Sequence, residues 1–199
     1  MTAVFLLITG VRRMVTEEIT IRITPEELSQ RADSILFELV DGELLERSRG
    51  SISSEIAIQV SYLIKRFLEG KNAGRCYGPD LGYRCIPDDP DKIRKPDVSF
   101  IQSSRLTNEL IDVGYMPIAP DLAVEVTSPG ELTYTIDEKI EDYLQAGCQM
   151  VWVANPRLKI VDVYRPAGTN QRLHINDRIS GENALPGFEC SVGDFFVTI

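Results

Sequence analysis

Residues 120–129 read PDLAVEVTSP. Leu122, Ala123, Val124 and Val126 make a short apolar run closed by Pro120 and Pro129, the pattern of a strand buried on both faces of a helix-covered sheet. Glu125 interrupts that run. A carboxylate in such a strand is costly unless it is paired, hydrogen-bonded or bound to a metal, so the stretch that sets the fold also demands a partner for Glu125. Pro120-Asp121 reads as the start of the strand.

On either side, the elements alternate. A helix is expected from about Ile136 to Ala146, stopped by Gly147, and then a hairpin of QMVWVA and LKIVDVYRP around Asn155-Pro156-Arg157. Shorter strands follow to the C-terminus. Upstream, strands are expected near 97–102 and 81–86, preceded by a Gly-rich connection. The longest amphipathic helix covers 53–70, with Ile56, Val60, Leu63, Ile64, Phe67 and Leu68 at helical spacing, Ser53 or Ser54 as cap and Gly70 as stop. Before it, ILFELVDGELLERS reads as a hairpin turning at Asp41-Gly42, with Glu38 and Glu46 on its two strands. Thr24-Pro25-Glu26-Glu27 is a helix start: Thr24 at the N-cap, Pro25 at N1 and Glu27 closing a capping box, with a short helix to about Ala32. The order predicts an α/β fold, a central mixed sheet flanked by helices with an N-terminal hairpin.

The chain has 199 residues, enough for one sizeable core, and one domain over 14–199 is the expectation. Met14 begins a more ordinary polar start, so residues 1–13, with the apolar AVFLLITGV followed by Arg12 and Arg13, read as a tail or a start-site extension. That run is too short to span a bilayer, and no membrane role is expected. Cys76, Cys85, Cys148 and Cys190 lack CxxC spacing and read as reduced thiols of a cytoplasmic protein.

Net charge is −9, which argues against wrapping nucleic acid by bulk electrostatics. It is uneven: eight basic residues against five acidic ones between Lys65 and Lys95 give a local +3 and leave −12 elsewhere. Arg84, Lys92, Arg94 and Lys95 in that segment are the candidates for nucleic-acid contact; a solvated face is the alternative.

Arg94-Lys95-Pro96-Asp97-Val98-Ser99-Phe100-Ile101 places a second acid, Asp97, at the start of an apolar strand 28 residues before Glu125. Two acids on neighbouring strands can share one Mg²⁺ (or Mn²⁺), which takes oxygen ligands and needs only one or two carboxylates besides water and substrate phosphate. Such a cation would activate water for phosphodiester hydrolysis. A nuclease site also wants a lysine, usually two residues after the second acid, where this chain has Thr127. Lys139, at the border of the Ile136/Ile140/Tyr143/Leu144 stripe, is positioned to reach inward instead. Structural readings stand beside these: Asp97 satisfying local backbone, Glu125 pairing with Arg94 or Lys139, Lys139 snorkelling to solvent, Glu38 and Glu46 facing solvent. His174 is the single histidine and reads as a surface residue, which leaves a Ser-His-Asp triad, an HNH site and a His-rich zinc site without support.

FELVDGELLERS, GSISSEIA, RKPDVSFI, APDLAVEVTSP, DEKIEDYLQAGCQMVWVANP and LPGF, in this order over roughly 35–197, resemble the Uma-two family of small bacterial proteins with a restriction-endonuclease-like core. The resemblance implies a PD-(D/E)xK nuclease fold acting on DNA, with Asp97 and Glu125 in the two acidic positions and Lys139, displaced onto a helix, in the lysine position. Glu38 and Glu46 match recurrent acids of the family's hairpin, implying an accessory role. By analogy with nucleases of this fold a homodimer is expected. The competing reading is a non-catalytic nuclease-fold module that binds nucleic acid or a protein partner.

Overall fold

The computed structural model describes residues 22–196 except Arg49, Ile111, Glu131 and Ala167; the expected 1–13 extension and the start at Met14 lie outside the described residues. Helix α1 (Pro25–Ser29) opens with the expected capping box: Thr24 Oγ1 accepts from the Glu27 N–H at 3.2 Å, and Glu27 Oε2 accepts from the Thr24 N–H at 2.8 Å. It is shorter than the sequence suggests, ending with Gln30 as its C-cap. Strands β1 (Phe37–Val40) and β2 (Glu43–Glu46) form the hairpin, and Asp41 and Gly42 both take positive φ, 52° and 79°, as a two-residue turn of this hand requires.

Helix α2 (Ser51–Leu68) begins earlier than expected. Its N-cap is Gly50 and not Ser53 or Ser54, because Ser53 spends its hydroxyl on the Gly50 carbonyl (3.0 Å) and on Ser128 Oγ (2.8 Å). Strand β3 (Gly74–Tyr77) occupies what reads in sequence as a connection. The strand expected at 81–86 shrinks to β4 (Gly82–Tyr83), which pairs with β6 (Tyr115–Met116). Between them lies β5 (Val98–Gln102), and after them come β7 (Leu122–Val126), α3 (Thr133–Gln145), β8 (Met150–Asn155), β9 (Ile160–Tyr164), β10 (Gln171–His174), β11 (Arg178–Ser180) and β12 (Glu189–Ser191). Gly147 follows α3 at φ 97°, the left-handed stop that glycine permits.

Six strands form the central sheet in the order β10-β9-β8-β7-β5-β3. Among the described strands of this sheet only β7 and β8 run parallel, joined by α3 as the crossover that parallel neighbours need. The alternation along β7 divides the core. Leu122, Val124 and Val126 face the larger cluster with Ile56, Val60 and Ile64 of α2, while Ala123 packs with Ile136, Ile140 and Tyr143 of α3. Glu125, two residues on from Ala123, therefore points to the α3 side. Trp152 anchors the larger cluster, its ring 5.9 Å from Phe188 and 5.8 Å from Phe195. Asp121 is buried before β7 and accepts from the Gln102 N–H at 2.8 Å, a structural role. His174 is exposed on β10, and the four cysteines are free thiols. Among the described residues no helix is long and apolar enough to cross a membrane.

Candidate active site

The β5–β7 register pairs Val98 with Val124, and one further step along this antiparallel ladder sets Asp97 opposite Glu125. Asp97 stands just before β5, and its Oδ2 accepts from the Val126 N–H at 2.8 Å, so the side chain extends the ladder past the end of the strand. Its Oδ1 lies 3.1 Å from Arg47 Nη2. Glu125 is 2% exposed and is held from α3: Tyr143 Oη donates to Oε1 (2.8 Å) and Lys139 Nζ, one turn earlier, donates to Oε2 (3.2 Å). Lys139 is thus buried and aimed inward, and it also sits 3.6 Å from Glu38 Oε1.

Glu38 and Glu46 part company. Glu38 is buried and accepts from the Lys95 N–H (2.7 Å) and from Arg94 Nη1 (3.1 Å), whereas Glu46 pairs with Phe37 across the ribbon and is exposed. The expected nucleic-acid contacts are likewise placed elsewhere than on an open strip. Arg94 is 1% exposed and bridges Glu38 to Asp142, with Nε 2.6 Å from Asp142 Oδ2. Lys95 donates its ammonium to the Ser34 carbonyl (2.7 Å), Lys92 pairs with Asp142 (2.9 Å), and Arg84 is shared between Glu26 and Asp91 on the surface. The charges alternate along an interior array, Lys92–Asp142–Arg94–Glu38–Lys139–Glu125, which satisfies a set of ions that isolated burial would forbid. Arg47 and Asp142 are neighbours of these acids that the sequence reading passes over, and Tyr143 enters that reading only as part of the buried stripe of its helix.

Burial pushes the Glu125 carboxyl up to about 7; the nearby Asp97 and Glu38 charges add to the rise, while Lys139 and the Tyr143 hydroxyl oppose it. Asp97 is raised too, by burial first, against the Val126 N–H, Arg47 and Lys139. For Glu38 burial is outweighed by Lys139, Arg94 and the Lys95 N–H, and its carboxyl stays below the usual range. Two neighbouring acids that both resist ionisation are a donor set short of positive charge. Each oxygen of Asp97 and Glu125 has one hydrogen-bond partner named above, and an ionised carboxylate accepts more than that. Among the described residues no three His, Cys, Asp or Glu side chains converge as a preformed metal cage. The residues therefore fit Mg²⁺ or Mn²⁺ in the two-carboxylate manner, with water and substrate phosphate completing the shell.

A family model described as "Putative restriction endonuclease", Uma2, matches residues 25–193. The chain belongs to the Uma2 family. Membership supports a nuclease-like function for this Uma2 protein. A crystal structure from Anabaena variabilis ATCC 29413, described as a putative nuclease belonging to DUF820, is similar to it with a TM-score of 0.75 and 21% identity, over 87% of this chain and 97% of that one; the likeness shows that the Uma2 chain shares the fold of that protein. No curated protein matches it.

The raised Glu125 sets a sign for pH dependence. Its folded value lies above the unfolded 4.5, so the folded state holds the proton more tightly and metal-free stability falls as pH rises from about 4.5 through about 7. Asp97 acts in the same direction, and Glu38, being lowered, in the opposite one. In EDTA, Glu125→Gln is expected to gain on the parent in thermal unfolding between about pH 5.5 and about pH 8.5, by about 2 kcal/mol. A parent-to-variant difference that stays constant across this range would contradict the assignment.

Proposed function

We propose that this protein is a metal-dependent endonuclease that hydrolyses DNA phosphodiester bonds, with Asp97 and Glu125 holding Mg²⁺ or Mn²⁺ and Lys139 as the cationic group of the site. The observation that supports it best is the meeting of Asp97, Glu125 and the Lys139 ammonium at the ends of two adjacent strands. A bound divalent cation would polarise the scissile phosphate and lower the pKa of a water molecule. Tyr143 fixes the orientation of Glu125, and Arg47 together with the Val126 N–H fixes that of Asp97. Lys139 places positive charge where the phosphate gains negative charge in the transition state. Glu38 keeps the Lys139 ammonium from drifting out of the site. If the substrate is duplex DNA, two strands require two sites, and a homodimer belongs to this reading.

The competing reading, a non-catalytic nuclease-fold module, draws on the same contact: Lys139 already answers the charge of Glu125. Incubation with plasmid, single-stranded and structured DNA in Mg²⁺ or Mn²⁺ separates the two. Cleavage that EDTA abolishes and Asp97→Ala loses is expected. Absence of cleavage on every substrate, or equal cleavage by Asp97→Ala, would favour the binding module. Calorimetric titration with Mn²⁺ gives a second readout, a binding signal that strengthens as pH rises through about 7 and is lost in Glu125→Gln.

A further inference from the structure

A cleft of about 550 Å³ opens beside Asp97, between the hairpin and the first turns of α2. Its volume is that of a small-molecule site and far below what a duplex occupies. One wall is the stripe Ser54, Ala57, Ile58 and Ser61, at helical spacing on α2; Ile35 and Leu36 form the other, and Asp97, Arg47 and Ser128 lie at its inner end. Ile35 and Ile58 are 52% and 68% exposed, so the mouth is apolar and open to solvent. At the inner end two features want an anion. The first turn of α2 has no side-chain cap, which leaves its N–H groups as donors at the positive end of an 18-residue helix. Arg47, whose side chain is 10% exposed and whose Nη1 and Nη2 donate to the Pro79 carbonyl (2.9 Å) and to Asp97 (3.1 Å), still carries a buried Nε with no hydrogen-bond partner.

We infer that this cleft takes one unpaired nucleotide, the base between Ile35 and Ile58 and its phosphate toward Arg47 and the start of α2, so that the substrate is single-stranded or locally melted DNA. The inference rests on the nuclease reading above and narrows it. Among the described residues Arg47 is the one basic residue in the lining, beside the acids Asp80 and Asp97, enough for one phosphate and not for the two backbones of a duplex. The four basic residues nearest Asp97 in sequence, Lys92, Arg94, Lys95 and Arg105, lie outside the lining and are committed to protein partners. An apolar slot with a single anion site is the arrangement that reads an extruded or unpaired base. One strand requires one site, so a homodimer is not needed for such a substrate.

The test uses a fluorescein-labelled oligonucleotide of about 20 nucleotides, alone and annealed to its complement, in EDTA so that binding is read without cleavage. The single strand is expected to bind at least about tenfold more tightly than the duplex, and Ile58→Glu to remove at least about tenfold of that affinity. Leu158→Glu, the same charge change at an exposed residue between β8 and β9, should bind like the parent. Duplex binding as tight as single-strand binding, or Ile58→Glu binding like the parent, overturns the inference. The same substrates with Mn²⁺ keep the two claims apart. No cleavage of either form, with the strand preference and its loss in Ile58→Glu intact, sinks the nuclease reading and leaves the cleft. Cleavage of duplex by Ile58→Glu at the parent's rate does the reverse.

Discussion

Arg94→Met should destabilise the protein by about 3–5 kcal/mol, the range for breaking a buried ion network by removing one partner. Arg94 is 1% exposed, its Nε is 2.6 Å from Asp142 and its Nη1 3.1 Å from Glu38, so methionine would preserve much of the volume and none of the charge. Burial works against the Arg94 charge, yet Glu38 and Asp142 together raise its pKa, and both acids lose that support in the variant. Neither is left bare. Glu38 keeps the Lys95 N–H and Lys139, and Asp142 keeps Lys92, which places the loss toward the lower end of the range. Urea unfolding at neutral pH checks it, with the midpoint falling and the slope unchanged. A cycle with Glu38→Gln should show coupling of at least about 0.5 kcal/mol, the sign of a direct pair. A loss below about 1 kcal/mol, the level of a surface pair, would mean that the array is not the stabilising unit described here.

The central strands were legible because their residues announce both pattern and exception. Val98–Gln102 and Leu122–Val126 are short apolar runs, and the acids that break the pattern at Asp97 and Glu125 are the ones the fold sets opposite each other. Lys139 was legible from helix periodicity, since the face that buries Ile136, Ile140 and Tyr143 carries it on its border. Strand β3 was not: GRCY has no alternation of its own, and its place is made by β5, whose Phe100 ring and Ile101 carbonyl approach Gly74 too closely for a Cβ. Glu38 and Glu46 could have been separated in advance. A two-residue turn at Asp41-Gly42 fixes the register Glu38↔Leu45 and Phe37↔Glu46, which sends the two acids to opposite faces. Arg94 and Lys95 read as surface charge because a charge count cannot see Glu38, 56 and 57 residues away, or Asp142, 48 residues beyond Arg94. Arg47 gave no signal for the same reason; its partner Asp97 is 50 residues downstream.

Lys139→Met should leave the protein folded and able to bind Mn²⁺ while lowering catalysis by about 10²- to 10³-fold, the usual loss when one transition-state donor is deleted. The fold survives because Glu125, already pushed up to about 7, takes up a proton when its ammonium partner is gone instead of standing as an unpaired buried charge. The stability cost should therefore be small near pH 6 and grow above about pH 8, a dependence that a purely structural ion pair with an ordinary carboxylate would not show. The loss should fall on kcat more than on KM if the ammonium acts on charge developing at the phosphate. Thr127 supplies the converse experiment. It lies two residues after Glu125 just past the end of β7, on the same side of the chain by strand alternation, so a lysine there approaches the pocket from the sheet instead of from α3. Partial recovery in Thr127→Lys/Lys139→Met would show that both positions address one pocket. If Lys139→Met cleaves like the parent, the ammonium is a structural counter-ion to Glu125 and Glu38, and the chemistry has to be carried by other groups.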